Sequence, residues 1–441
     1  MRGLRGVVAA VVLSAAAAPA AALTLAVERH ELANGMRVLL HEDHSAPVIS
    51  SYLFYRVGSS YENYGHTGLA HLFEHMMFNG SRKFGPGAFD DVIEGSGGAT
   101  NGYTTRDFTA YLNDFPRDAL PVVLDLESDR MANLLITPQN LAQERGIVME
   151  ERRLRVENTV GGAMYEALYL HAFVESAYRW HPIGFMADLQ RITLASATNF
   201  FRTYYVPNNA TLVLAGDFES AKALALVRSY FERIPRGRPV AAPVLAEPPQ
   251  AGERRVVLQK PAELPALLIG YEAVPVRHPD RPALDVVAQL LTGGRSALLT
   301  ERLVRDEEIA TSVEADLTWS KARDVFVIDA QARPGRSAAE LRRALTTALR
   351  DFAARPVGER ELARAKRQLR ADYVRGLQRV SGKANQLGFF EVVFGDYQAM
   401  SGLEEQWNAV TAADVQRVAR TYLVPEKRTV VEVDPTAGAP Q

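Results

Sequence analysis

No cysteine occurs in the 441 residues. The chain can form no disulfide, offer no thiolate to a metal and carry no lipid on a cysteine. Any metal site must therefore be built from imidazole and carboxylate, and stability must come from the core. A strong charge of either sign is also missing. Fifty Lys and Arg against 52 Asp and Glu leave a formal charge of −2 with no like-charge run, so nothing invites nucleic acid or an anionic membrane. Nor is there a long apolar run. The stretch from Gly6 to Ala18 is short, rich in alanine and closed by Pro19, which argues against a retained membrane anchor. With Arg2 and Arg5 before it and Ala20-Ala21-Ala22 after it, residues 1–22 read as a secretory signal peptide, cleaved most simply after Ala22. The mature chain is expected to be exported, into the periplasm of a Gram-negative cell. At 47% hydrophobic residues it is long enough to be held by its cores alone.

What is present is a duplication. Arg202-Thr203-Tyr204-Tyr205-Val206-Pro207, followed by Thr211-Leu212-Val213, recurs as Arg420-Thr421-Tyr422-Leu423-Val424-Pro425, followed by Thr429-Val430-Val431, at the constant offset of 218 that separates 202 from 420. Each copy reads as a helix, a proline-marked turn and a strand that closes its own half. Two homologous α/β domains of the α+β class are expected, each a mixed, mostly antiparallel sheet with helices on one face. The spacing assigns residues 23–233 to the first domain and 255–435 to the second. Between them lies a semi-rigid linker, 234–254, stiffened by Pro235, Pro239, Pro243, Pro248 and Pro249. Asn34-Gly35 marks a hairpin at the mature N-terminus.

The chemistry centres on His71-Leu72-Phe73-Glu74-His75. Residues four apart share one side of a helix, so His71 and His75 can both ligate one ion while Glu74 stands beside it. The order reverses the commoner H-E-x-x-H zinc motif. From Thr67 to Phe78 nearly every other residue is Gly, Ala, Leu, Phe or Met, so these polar groups would be costly without a metal or mutual hydrogen bonds. A catalytic zinc site needs a third protein ligand. The helix capped by Thr137-Pro138 offers one: at about 100° per residue Glu151 falls in a stripe with Glu144, Ile147, Val148 and Leu154, and Glu150 falls among polar neighbours. The stripe is expected to face a core, which makes Glu151 the ligand. Glu144, two turns earlier, would orient a ligand or the attacking water, unless it belongs to a solvated face paired with arginines. The remaining histidines, His30, His41, His44, His66, His171, His181 and His278, lack ligand spacing and are expected at the surface or in structural roles. Matching Gly80 to Gly293 sets Leu284, Val287 and Ala288 where His71, Glu74 and His75 stand, so the second half is expected to be metal-free.

Asn34-Gly35, Gly58-Ser59 with Glu62, the run from Gly68 to Gly80 and the run from Glu144 to Glu151 together resemble the M16 (pitrilysin) metallopeptidases over nearly the whole mature chain. In size and layout the chain is similar to the short branch that holds the mitochondrial processing peptidases and bacterial relatives. The resemblance implies the fold of that metallohydrolase superfamily and one Zn2+ per chain on His71, His75 and Glu151. Glu74 would be the general base, and the activity endopeptidase action on unfolded peptides or short protein segments in a clam-shell chamber. It also implies that Asn101, Gly102 and Tyr103 lie on an edge strand that takes peptide substrate as an added strand, where the residues alone suggest only an ordinary strand. The family's substrate-binding Arg and Tyr belong after Gly293-Gly294. Here Arg305 is present, but Thr311 or Ser312 stands where the Tyr belongs. In short-chain members a second subunit completes the site, so the expected assembly is a heterodimer with a homologous subunit that supplies the Tyr, a homodimer being the simpler alternative. A non-catalytic peptide-binding or scaffold subunit is the rival reading; the duplicated layout argues against another zinc hydrolase such as an amidase. On the heterodimer expectation, the purified chain free of any homologous partner does not cleave peptides at full rate. Full activity of the lone chain in a peptide-hydrolysis assay rules that assembly out.

Overall fold

The computed structural model describes residues 25–436, so the signal-peptide assignment, 1–22, lies outside the described residues. Two sheets repeat one plan. The first contains β1 (Glu28–Glu31), β2 (Arg37–Glu42), β3 (Val48–Tyr55), β4 (Ala99–Thr104), β5 (Thr109–Pro116) and β6 (Ala210–Gly216), in the order β1-β2-β6-β3-β5-β4. The second contains β7 (Arg254–Pro261), β8 (Ala266–Glu272), β9 (Ala310–Leu317), β10 (Val325–Ala332) and β11 (Arg428–Thr436), in the order β7-β11-β8-β10-β9. In each sheet one pair is parallel, β2 with β6 and β7 with β11, and the others are antiparallel. The repeated sequence has the expected form: helix Leu194–Tyr204 leads through a turn at Pro207 into β6, and helix Ala412–Tyr422 leads through Pro425 into β11. β1 has no counterpart among the described residues of the second sheet. It pairs with β2 through a loop in which the Asn34 amide donates to the carbonyls of Phe231 and Ile234, tying the hairpin to the end of its domain. Residues 236–253 of the linker form neither helix nor strand. The segment is nevertheless held, because the Glu247 carboxylate accepts from the backbone N–H groups of Val174, Glu175 and Ser176.

Alternation along the strands explains the layers. Val38, Leu40, Leu53, Tyr55 and Leu212 face a core made with helices of the first half, and Leu39, Phe54, Ala110 and Val213 face the other way. Helices of one half cover only one face of its sheet. The other face is covered by a helix lent from across the chain. Helix Val380–Phe389 of the second half packs on β3 and β6, and helix Val160–Ala172 of the first half packs on β11, β8 and β7. Polar contacts fasten the exchange: buried Glu391 accepts from Arg29 and Arg37 at 3.1 Å, Lys383 pairs with Asp43, and the Tyr169 hydroxyl donates to Asp324 at 2.9 Å.

The two exchanges are matched by opposite choices of size. Phe54 is the cross-strand partner of Thr211, and Gly270 is the partner of Thr429, 218 positions on, so Phe54 and Gly270 are equivalent. On the lent helices Leu168 and Gly388 are equivalent, each eight residues after the valine that begins its helix, Val160 and Val380. Leu168 packs over Gly270, where a Cβ would lie 2.9 Å from its Cδ1; Gly388 packs under Phe54, where a Cβ would lie 1.9 Å from the ring. Gly388→Ala is therefore expected to lower stability by about 1–3 kcal/mol through overpacking. A Phe54→Leu partner substitution should recover part of the loss, as read by thermal unfolding of the four proteins of a double-mutant cycle.

Candidate metal centre

The histidine helix spans Leu69–Met76, and its start is built from three side chains and a glycine. Gly68 sits at φ +90° with Ile183 O and Leu189 where a Cβ would go, so only glycine fits. Buried Glu62 then receives the free N–H groups of Gly68 (2.9 Å) and Ala70 (2.7 Å), and the Thr67 hydroxyl donates to Asp188. Burial pushes the Glu62 carboxyl up to about 8, against the pull of the Ala70 and Gly68 amides. Further along, Phe73 stacks on Phe200 and Phe201 while its carbonyl accepts from the Tyr111 hydroxyl at 3.1 Å. These contacts fix the rotation of the helix, and with it the direction of His71, Glu74 and His75.

The glutamate helix, Pro138–Arg152, begins as expected, with the Thr137 hydroxyl accepting from Asn140 N–H. Its buried face is Leu141, Glu144, Val148 and Arg152, whereas Ile147 and Leu154 are 45% and 60% exposed. The buried stripe is therefore rotated from the expected one: its centre lies toward Arg152, which reaches the Gly184 carbonyl at 2.6 Å and Glu166 at 2.8 Å. After Arg152 the chain widens into a π turn, Arg153–Glu157, which further shifts Leu154 off the helical register. Glu151 thus stands at the margin of the buried face, half-buried and beside a cavity, and Glu150 faces water in a pair with Arg153.

At this junction one atom each from His71, His75 and Glu151 lies within 4.8 Å of the others, the single such group among the described residues. Glu151 Oε2 is 3.2 Å from His75 Nε2 and 3.6 Å from His71 Nε2, yet it is buried without a hydrogen bond. Zinc bonds of about 2.0–2.2 Å set the corners of a tetrahedron about 3.4 Å apart, close to the two distances from Glu151 Oε2 to the histidine nitrogens. The imidazole and carboxylate donor set suits the same metal. His75 turns its other nitrogen, Nδ1, to Glu144 Oε2 at 3.4 Å, and Arg155 holds Glu151 Oε1 at 2.8 Å. Glu144 is thus a buried partner of His75 rather than part of a solvated face.

Charge is distributed unevenly over the group. Burial pushes His71 down to about 4, whereas for His75 the carboxylates of Glu144 and Glu151 outweigh burial and raise it to about 9. Contact with His75 holds Glu151 below the ordinary carboxylate range, and holds Glu144 there in spite of its burial. Glu74 moves the other way, pushed up by burial, and its Oε2 is buried with no protein partner. Gly102 makes room for it, since a Cβ there would lie 3.1 Å from Glu74 Cγ.

Asn101, Gly102 and Tyr103 lie on β4, the last strand of its sheet, whose outer edge pairs with no other strand among the described residues. Asn101 is exposed, with its side-chain oxygen accepting from Gly102 N–H, and the Tyr103 hydroxyl donates to Asn385 of the second half. Arg305 is exposed on the turn Thr300–Asp306 and does not line the site. A cavity of about 600 Å³ does join His71, Glu74 and Glu151 to β4. It also brings in His181, Trp319 and Phe389, which no spacing rule connects to the motif. His181 is therefore not a surface residue: burial pushes it down to about 3, with Arg106 and His71 adding to the effect. His41 is likewise buried, against the Ala26 carbonyl. In the second half Leu284 and Val287, at the positions of His71 and Glu74, are fully buried, and Ala288, at the position of His75, packs against the same core. A separate cavity there, about 510 Å³ and lined by Arg302, Asp351 and Arg364, contains none of the site residues.

Two family models match the chain: insulinase (peptidase family M16) over residues 37–181, and the peptidase M16 inactive domain over residues 191–369. The zinc protease PqqE of Helicobacter pylori is 30% identical over 414 residues, which span 92% of this chain and 93% of that protein. A zinc protease of Streptomyces coelicolor is 25% identical over 90% of this chain and 87% of its own length. The crystal structure of a Helicobacter pylori protease superposes with a TM-score of 0.90 at 29% identity, covering 93% of this chain and all of that one. Removing the carboxylate behind His75 tests the metal centre directly. Glu144→Gln is expected to weaken zinc binding about 10–100-fold, as measured by competition with a chromophoric chelator.

Proposed function

We propose that the chain, which belongs to the insulinase-type peptidase family M16, is a zinc-dependent endopeptidase of unfolded peptides or short protein segments. The observation that supports this most strongly is the convergence of His71 Nε2, His75 Nε2 and Glu151 Oε2 beside a free strand edge. His71, His75 and Glu151 would hold the ion, which when bound supplies a Lewis acid for the scissile carbonyl and makes a nearby water more acidic.

The chain's own residues do the rest. β4 presents its unpaired backbone N–H and C=O groups to an extended peptide, which lies down as an added strand and is thereby oriented without regard to sequence. Glu74, one turn from His71 and packed against Gly102 of that strand, accepts the proton of the attacking water on its unpartnered Oε2 and can return it to the leaving amine. Its burial keeps the carboxylate basic enough for this task. Glu144 and Arg155 act on ligands rather than on substrate, fixing the His75 ring and the second oxygen of Glu151.

The assembly we infer is a heterodimer with a related chain. In its support, Arg305 faces solvent away from the cavity, and Thr311 and Ser312 stand where the family's tyrosine belongs. Export to the periplasm is supported by the basic, apolar and small-residue order of the N-terminus. Replacing Glu74 by Gln is expected to leave zinc content unchanged and to cut peptide turnover about 10²–10⁴-fold. Chelator-sensitive turnover by the unaltered protein and its loss in the variant are the required pair of results. Turnover retained in the variant removes Glu74 from its role, and absence of any chelator-sensitive turnover favours the scaffold reading.

A further inference from the structure

The junction where the second half lends its helix to the first sheet holds a cavity of its own. It measures about 480 Å³, within the roughly 300–1,000 Å³ usual for small-molecule sites, and none of His71, Glu74, His75 or Glu151 lines it. One wall is the first sheet, with Ser50 of β3 and Asp114 of β5, and the facing one is the start of the lent helix, with Arg379 and Val380. Two opposite charges share this space unpaired. Asp114 Oδ1 is buried without a hydrogen bond, and the exposed Arg379 forms no ion pair with it or with any other described residue. Ser50, opposite Asp114 in the pairing of β3 with β5, is 1% exposed, and its hydroxyl also lacks a partner. Buried polar groups are ordinarily satisfied, so two orphans side by side at a cavity point to a donor that comes from outside.

The fold itself does not require this set. Phe54 and Gly270 are equivalent, so four positions earlier Ser50 matches Ala266, and the partner of Ala266 on β10 is Gln331 where Ser50 has Asp114. The lent helices differ at their starts as well. Thr159 caps Val160–Ala172 by accepting from Gly162 N–H at 3.1 Å, whereas Arg379, at the same place before Val380, has no acceptor to offer. The first backbone bond of helix Val380–Phe389 runs from Lys383 N–H to Arg379 O, so the N–H groups ahead of it are left open at the positive end of the helix.

We propose that this cavity binds a small zwitterion with an apolar side chain, a free α-amino acid or a dipeptide, across the junction of the two halves. Its carboxylate meets Arg379 and the open helix start. Its ammonium group pairs with Asp114 and donates to the Ser50 hydroxyl, which supplies the missing donor to both orphans. Val48, Ala99 and Pro116 form the apolar wall for its side chain, and Val48, 39% exposed, is surface that the ligand covers. An inorganic anion satisfies one end of this set and is repelled by Asp114 at the other; a simple amine meets the reverse difficulty at Arg379. Because the ligand touches a sheet of one half and a helix of the other, it stabilises the exchange that joins them. The proposal does not depend on the peptidase reading.

The test is isothermal titration of zinc-loaded protein carrying Glu74→Gln, in which no peptide is consumed, with L-leucine and with L-leucyl-L-leucine. At least one is expected to bind, and the tighter of the two identifies the ligand as amino acid or dipeptide. N-acetyl-L-leucine, which lacks the ammonium group, and L-leucinamide, which lacks the carboxylate, are each expected to bind about tenfold or more weakly than L-leucine. Asp114→Asn should bring the ratio of L-leucine to N-acetyl-L-leucine close to one, and Arg379→Gln should do the same for L-leucinamide. Because ratios are read, a general loss of affinity does not imitate the result, and Arg379 is exposed, so its replacement leaves the fold intact. Binding of neither L-leucine nor L-leucyl-L-leucine up to the millimolar range overturns the site. So does equal binding of the two blocked derivatives, or an affinity for L-leucine untouched by both variants, which places the ligand at the zinc instead.

Discussion

A sheet with helices of its own on one face still exposes the other, and in this chain each half covers that face for its neighbour. The rest of the structure depends on this exchange. Helix Val380–Phe389 lies on β3 and β6, and its last residue, Phe389, forms the wall against Phe108. Helix Val160–Ala172, lent in the opposite direction, follows directly from the π turn that holds Arg155 at Glu151. The metal group and the aromatic wall are therefore both set at places where one half passes into the other.

Within the centre, the arrangement is chiefly a matter of keeping like groups different. Four carboxylates, Glu62, Glu74, Glu144 and Glu151, lie close to one helix. Two are drawn down by His75 and two are pushed up by burial, so they divide into anchors and groups that hold a proton more readily. Glu62 commits its oxygens to the helix start and Glu74 keeps one free. That difference in hydrogen bonding, more than any difference in residue type, assigns one to structure and the other to chemistry.

Much of this was legible in the sequence, for identifiable reasons. The spacing of His71, Glu74 and His75 is a local property of a helix, and the 218-residue offset needs only comparison of the chain with itself. Glu151 was also reachable by register, although Ile147 and Leu154 of the same stripe proved exposed, because a helix period locates a face only to within its neighbours and a π turn then breaks it. What pairs across long separations was hidden. Trp319 is brought to the cavity by the β9–β10 connection, and His181 by the loop that packs on Gly68; neither has a partner at any telling interval in the chain. Helices on the second face of each sheet were likewise invisible, since alternation reports that a strand face is apolar but not which half supplies its cover.

The opposed sizes at the two exchanges make the two halves non-interchangeable. A protein assembled from two copies of the first half would bring Phe54 against Leu168 at both crossings, two large side chains where the present packing admits one. Two copies of the second half would set Gly270 against Gly388 and leave a void at each. A chain with identical halves would need residues of intermediate size at both crossings. With the bulk carried on both the strand and the helix of one half, and given up on both by the other, the two repeats cannot substitute for one another.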